Sequence, residues 1–175
     1  MKPKDRGFSS LRCREIRPSD DLAELTDLLH AAYAPLAAKG LRFWATHQTV
    51  VDTASRLAEG HGFVGTINDR VIATITVRPP QPLSAVELLR DEDTWSFGQF
   101  AVHPAYQGRG HGKRLHDFVL HFAESKGCRR MALDTAEPAL SLIEMYRSWG
   151  YVRVGHCDWR PHTNYVSVLM VKALQ

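Results

Sequence analysis

Hydrophobic positions along the chain change period several times, and each change marks an element. Leu11, Cys13 and Glu15 alternate with Arg12, Arg14 and Ile16, a weak strand pattern over Leu11–Arg17 that Pro18 closes. Ser19, Asp20 and Asp21 then offer helix caps. Leu22, Leu25, Leu28, Leu29, Ala32 and Tyr33 follow on one apolar face, predicting a first helix that Pro35 ends. No clear period runs from Ala34 to Gln48, although Leu41, Phe43 and Trp44 stand there. Thr49 and Asp52 have capping-box spacing, and Ala54, Leu57 and Ala58 before Gly60 predict a short second helix. Two β-rich runs, Gly62–Ile67 and Val71–Val77, flank Asn68-Asp69-Arg70 and predict a hairpin. Arg78-Pro-Pro-Gln-Pro82 breaks the pattern, and Leu83–Asp93 suits either a short helix or a loop.

Thr94–Val102 reads as a buried strand stopped by His103-Pro104, because proline removes a ladder donor. After the glycine-rich run Gln107–Gly112, residues Leu115, Phe118, Val119, Phe122 and Ala123 form the apolar face of a helix that Gly127 terminates. Arg129–Thr135 is another strand. Leu142, Met145, Tyr146 and Trp149 make a helical stripe ended by Gly150, and Tyr151–Trp159 and Asn164–Val171 finish the chain as strands around the Arg160-Pro-His162 turn. Helices and strands interleave without repeats or low-complexity linkers. The pattern predicts one α/β domain over residues 11–175, a mixed sheet with helices on both faces, after an N-terminal tail of residues 1–10.

Composition narrows the function classes. The hydrophobic share of 44% and charged share of 23% suit an ordinary globular protein, and no apolar run approaches the length that spans a bilayer. The basic start MKPKDRGFSS has no apolar stretch behind it, so neither a signal peptide nor a membrane anchor is expected. A net charge of +3, spread along the chain, gives no basic stripe of the kind nucleic acid requires. Cys13, Cys128 and Cys157 lie far apart without C-x-x-C spacing, which suggests reduced thiols in the cytoplasm. His111, His116 and His121 recur every five residues and scatter around their helix, so no metal site is expected.

The chemistry concentrates in Phe97–Gly112, FGQFAVHPAYQGRGHG. Alternate glycines let the backbone reach conformations closed to other residues, and let an anion approach the amides without meeting a Cβ. They precede a helix N-terminus, where free N–H groups and the dipole favour phosphate. The dinucleotide fingerprint fails because its third glycine position is Lys113. The P-loop fails because Gly112-Lys113 is followed by Arg114. No G-x-S-x-G elbow is present. His156 and Cys157 are strand neighbours pointing to opposite faces and cannot share a proton.

The string Q-G-R-G-H-G, preceded by a strand ending in V-H-P, closely resembles the pyrophosphate-binding motif (Q/R-x-x-G-x-G/A) of the GNAT (GCN5-related) N-acetyltransferases. Glu144–Val152, EMYRSWGYV, resembles the family's second signature, L-Y-x-x-x-G-F/Y. An asparagine that many members carry a few residues before that tyrosine is missing from Thr135–Ser141. The resemblance implies a central sheet of about seven strands, acetyl-CoA as co-substrate, and direct transfer of the acetyl group to a primary amine in a small molecule or peptide. It implies that the amides of Gln107, Gly108, Arg109, Gly110, His111, Gly112 and Lys113 hold the pyrophosphate. Phe100, Ala101 and Val102 would receive the pantetheine arm as a neighbouring strand would, and Tyr146 would act as general acid. Phe43, Trp44, Trp95 and Tyr165, from segments that flank the cofactor edge in this fold, are the candidates for the acceptor pocket, and their aromatic character suggests an amine with an apolar body. For the general base, Ser96 stands where some relatives carry glutamate, which leaves Asp93 or a backbone-held water. Pairing through the last two strands would give a homodimer. A non-catalytic acyl-CoA-binding module is the alternative the same residues allow.

Overall fold

The structure, a computed structural model, describes residues 10–175, so the tail expected at residues 1–10 lies outside the described residues except for Ser10. Seven strands form one sheet: β1 (Arg12–Glu15), β2 (His61–Ile67), β3 (Arg70–Arg78), β4 (Thr94–Val102), β5 (Arg130–Ala136), β6 (Val152–Cys157) and β7 (Ser167–Ala173). Their spatial order is β1-β2-β3-β4-β5-β7-β6, antiparallel throughout except for the parallel β4–β5 pair. The helices are α1 (Leu22–Ala38), α2 (Val50–Ala58), α3 (Glu87–Arg90), α4 (His111–Ser125) and α5 (Leu140–Ser148). Helix α4 packs its Leu115, Val119 and Ala123 stripe over β2, β3 and β4, while α1 packs against β3 and β4.

Local chemistry explains most of these boundaries. Thr49 Oγ1 accepts from Asp52 N at 3.1 Å and Asp52 Oδ2 accepts from Thr49 N at 2.7 Å, so both halves of the capping box form at α2. The β2–β3 turn uses Asn68 and Asp69 at φ 50° and 62°, the signature of a two-residue type I′ hairpin, one residue tighter than the sequence suggests. Residues 83–93 contain a single helical turn, α3.

Helix α1 does not end at Pro35. Proline forfeits one intrahelical bond, but the helix runs on to Ala38 because Leu36 packs into a cluster with Phe43, Ala139 and Tyr165. Lys39 N and Gly40 N then donate to Leu36 O and Ala37 O, with Gly40 at φ 80° closing the turn.

The feature that shapes the molecule lies between the two central strands. β4 and β5 pair only at Thr94–Arg130, Trp95–Met131 and Ser96–Ala132, whereas β5 stays paired with β7 to Ala136. Beyond Ser96 the strands separate, opening the sheet at the C-terminal end of β4.

Candidate active site

The opening is produced by a bulge. Between Thr76–Gly98 and Thr74–Ala101, β4 spends one more residue than β3, and Gln99 sits at φ 47°. A non-glycine residue in that region is strained and needs support. Gln99 receives it from a buried amide network: Gln48 Nε2 donates to Gln99 Oε1 and to Thr53 Oγ1, both at 2.7 Å, and Gln99 Nε2 donates to Thr76 Oγ1 at 3.1 Å. Arg56 Nη1 completes it by donating to Gln48 Oε1 at 2.7 Å.

Past the bulge, backbone direction alternates. His103 N donates to Ile72 O on β3, so Phe100 and Val102 turn their backbone groups to the open edge. Two of those groups have partners. Tyr33 Oη donates to Phe100 O at 3.0 Å, and Gln107 Nε2 donates to Val102 O at 2.9 Å.

A cavity of about 910 Å³ fills the gap between β4 and β5. One end is walled by Tyr106–Gly108, Gly110–Lys113, Met145 and Trp149. Gly108 and Gly110 adopt φ 72° and 78°, closed to L side chains, and a Cβ on Gly112 would come within 3.3 Å of Val102 Cγ2. Among the described residues, no backbone carbonyl accepts from the amides of Gly108–Lys113. Arg114 N is the first to find one, at Gly110 O. The result is a row of free donors at a helix N-terminus, a cradle fitted to a diphosphate. Arg109 turns away and lies over the Tyr106 ring, and Lys113 pairs with Asp117.

In the middle stands Tyr146, 7% exposed, packed among Phe97, Trp149 and Tyr151. Its hydroxyl has no hydrogen-bond partner among the described residues, and burial raises its pKa well above the ordinary phenol value, so it stays protonated.

The other end carries Phe43, Trp44 and Tyr165, with Phe43 against Tyr165 at 4.9 Å and Trp44 stacked on His162 at 4.5 Å. Charged residues that the sequence reading did not single out also line the cavity, among them Arg56, Arg78, Glu59 and Asp134. The Asp134 carboxylate opens on the cavity but is enclosed by protein beyond it. Burial raises its pKa, opposed by Trp159 Nε1, which donates to Oδ2 at 3.0 Å, and by the two arginines.

Two expected residues do not come to this cavity. Trp95 shares its face of β4 with Phe97 and stacks on His61 with its edge toward Phe122, beneath α4. Asp93 precedes β4 at the closed end of the strand pair, exposed and 3.6 Å from Arg129 Nε. Ser96 lines the cavity and accepts from Gln81 Nε2 at 3.0 Å. Cys157 is buried, its thiol pushed up to about 12, while His156 faces Glu137 at 3.1 Å. That pair holds no ready thiolate nucleophile. Among the described residues no group of three or more His, Cys, Asp or Glu side chains is placed to hold a metal ion, and no helix is long and apolar enough to cross a membrane.

Comparison with known proteins agrees with this geometry. The family model described as acetyltransferase (GNAT) family matches residues 22–151. The chain is 30% identical over 157 residues to an S-(2-succino)cysteine N-acetyltransferase of Bacillus subtilis (strain 168), covering 89% of this chain and 92% of that one. Its fold matches PH1933 from Pyrococcus horikoshii OT3 with a TM-score of 0.74 at 19% identity, over 95% of this chain and 99% of the other. It also matches a GNAT family acetyltransferase from Elizabethkingia anophelis with acetyl-CoA bound, TM-score 0.69 at 15% identity, over 94% and 98% of the two chains. With the splayed strands, the glycine cradle and a family match across most of its length, this chain belongs to the GNAT family of acetyltransferases.

Proposed function

We infer that this protein transfers the acetyl group of acetyl-CoA to the amine of a small molecule by direct attack within the β4–β5 cavity. The observation that carries the reading is the cradle of unpaired amides at Gly108–Lys113, on the same cavity as the open edge of β4 and a tyrosine hydroxyl that faces the cavity without a protein partner among the described residues. The relative named for S-(2-succino)cysteine supports a small amine as acceptor.

When bound, acetyl-CoA supplies an activated thioester. The amides of Gly108–Lys113 grip its pyrophosphate. Phe100 and Val102 offer their edge N–H groups to the pantetheine arm, a form of strand addition. Their carbonyls, already engaged by Tyr33 and Gln107, keep that edge in place. An edge N–H also stabilises the thioester oxygen as it gains charge. Tyr146 donates a hydrogen bond to the departing sulfur. Because the phenol is a weaker acid than a thiol, of pKa about 8.5, this bond strengthens with charge rather than delivering a proton early. Asp134 takes the proton of the incoming ammonium. Its raised pKa brings it nearer the working pH, where a general base serves best. The other cavity carboxylate, Glu59, is committed to Arg78.

The test is release of the coenzyme A thiol with a panel of amines, followed by a thiol-reactive dye and mass spectrometry of the product. The reading expects amine-dependent release matched by N-acetylated product. Tight binding of acetyl-CoA with no release by any amine would instead mark a non-catalytic acyl-CoA-binding module.

A further inference from the structure

Arg56 on α2 and Arg78 at the end of β3 approach the cavity from different elements and meet at Gly98, just before the bulge. A Cβ built on Gly98 would lie 3.0 Å from Arg78 Nη2 and 3.4 Å from Arg56 Nη2. Two like charges so close repel each other, and the carboxylate paired with them, Glu59 on Arg78, offsets only part of that repulsion. Arg56 has a single hydrogen bond, to the neutral amide of Gln48, and the face of Trp44 at 4.9 Å. Its Nε is buried without a partner. Arg78 Nε lies 3.1 Å from Glu59 Oε2, an ion pair outside hydrogen-bond geometry with a carboxylate that is half exposed. Burial together with the neighbouring Arg78 pulls the Arg56 guanidinium down to about 10. Asp134 shares the cavity, yet no ion pair joins it to either arginine. The same cavity therefore holds guanidinium donors left without acceptors together with a carboxylate that pairs with neither arginine.

A charge pair with one half-exposed counter-ion and a buried guanidinium N–H left without a partner is costly, and an anion that brings its own acceptor oxygens relieves it. Guanidinium forks match a carboxylate in plane and spacing. The geometry points to an acceptor that carries a carboxylate beside its amine, as an α-amino acid does, with Arg56 and Arg78 taking the carboxylate and Asp134 facing the ammonium. This rests on the acetyl-transfer reading of the same cavity and deepens it by naming the substrate class. Gly98 suits the role because any side chain there would fill the space where the two forks converge.

The test uses matched pairs that differ only in charge: amino acids with apolar, thioether and acidic side chains against their C-terminal amides, in the coenzyme A release assay. The acids are expected to exceed their amides in kcat/KM by roughly 10- to 100-fold, as expected for charged hydrogen bonds. Arg56→Met and Arg78→Met should each narrow that preference, with the loss falling in KM for the acid. A second arm needs no turnover. N-acetylglycine, which cannot be acetylated again, should raise the melting temperature of the coenzyme A complex, and N-acetylglycinamide should not. Amides that turn over as well as the acids would overturn the proposal, as would equal shifts from the two probes. If no amine of either kind is acetylated, the acetyl-transfer reading fails, and the N-acetylglycine arm still decides whether the arginines bind a carboxylate.

Discussion

Gln48 and Gln99 lock their side-chain amides together, Nε2 of the first donating to Oε1 of the second at 2.7 Å, although they lie 51 residues apart. This contact holds the left-handed residue of the β4 bulge, and through Gln48 Oε1 it also aims Arg56. Every polar atom of the Gln48 amide is satisfied, so its removal strands several buried partners at once. Gln48→Leu should cost about 2–4 kcal/mol in urea unfolding, since each buried group left unpaired costs about 1–3 kcal/mol. It should also slow turnover, by loosening the strand edge. A variant as stable and active as the parent would show that the bulge stands without this support.

The Tyr146 side chain is buried, yet its hydroxyl faces the cavity with no protein partner among the described residues, which leaves it free for a ligand. Tyr146→Phe preserves the ring contacts with Phe97 and Trp149. It is expected to lower kcat by roughly 10- to 1,000-fold, the range for a positioned proton donor. The Kd for coenzyme A should barely move, and calorimetry beside steady-state kinetics separates the two. Unchanged kcat would remove Tyr146 from the chemistry.

Asp134 makes a pair of opposed predictions. Its folded pKa is raised by burial, so the fold is favoured while the carboxyl is protonated, and that contribution is lost as pH rises from the unfolded value, about 3.9, through the folded one. Asp134→Asn, which keeps an acceptor for Trp159, should be at least as stable as the parent at pH 7, with the difference closing below about pH 4. As the general base, the same variant should lose roughly 100- to 10,000-fold in rate and lose the acid limb of the kcat/KM profile. A more stable enzyme that keeps its acid limb would assign the base elsewhere.

His116 gives the opposite sign. On the buried face of α4, it is held neutral with its pKa pushed down to about 4, mainly by burial, with Tyr151 Oη donating to Nε2 at 2.7 Å and Nδ1 facing Asp117. A depressed histidine stabilises the fold above its unfolded pKa of about 6.5, and that contribution drains as pH falls toward the folded value. Unfolding free energy should therefore drop by roughly 3 kcal/mol between about pH 6.5 and 4, at 1.36 kcal/mol for each pKa unit. His116→Gln should flatten that slope in urea titrations taken across the interval.

The parts of this molecule that could be read from the chain are those set by local chemistry. Thr49 and Asp52 announce α2 because both partners of the capping box lie within one turn. The glycines of the loop announce the cradle because positive φ and close approach are demands on single residues. The acceptor end was hidden because Arg56, Arg78, Gln48 and Asp134 converge only through sheet register and helix packing. Asp134 alone left a trace, a lone carboxylate inside the strand sequence RMALDTA. Trp95 was misplaced by proximity in sequence. Trp95 lies where β4 and β5 are still paired, opposite Met131, with its ring on His61 and Phe122 under α4, while the cavity opens from Ser96 onward. Pro35 was overread as a stop, because the packing of Leu36 outweighs one lost helix bond.

The central claim is that the splayed β4–β5 edge and the glycine cradle together form the seat of acetyl-CoA, and a crystal structure of the protein with coenzyme A tests it most directly. The account predicts pyrophosphate oxygens within hydrogen-bonding distance of the Gly108–Lys113 amides, the pantetheine arm along Phe100 and Val102, and the sulfur beside the Tyr146 hydroxyl. Coenzyme A seated elsewhere, with those amides still facing solvent, would contradict it.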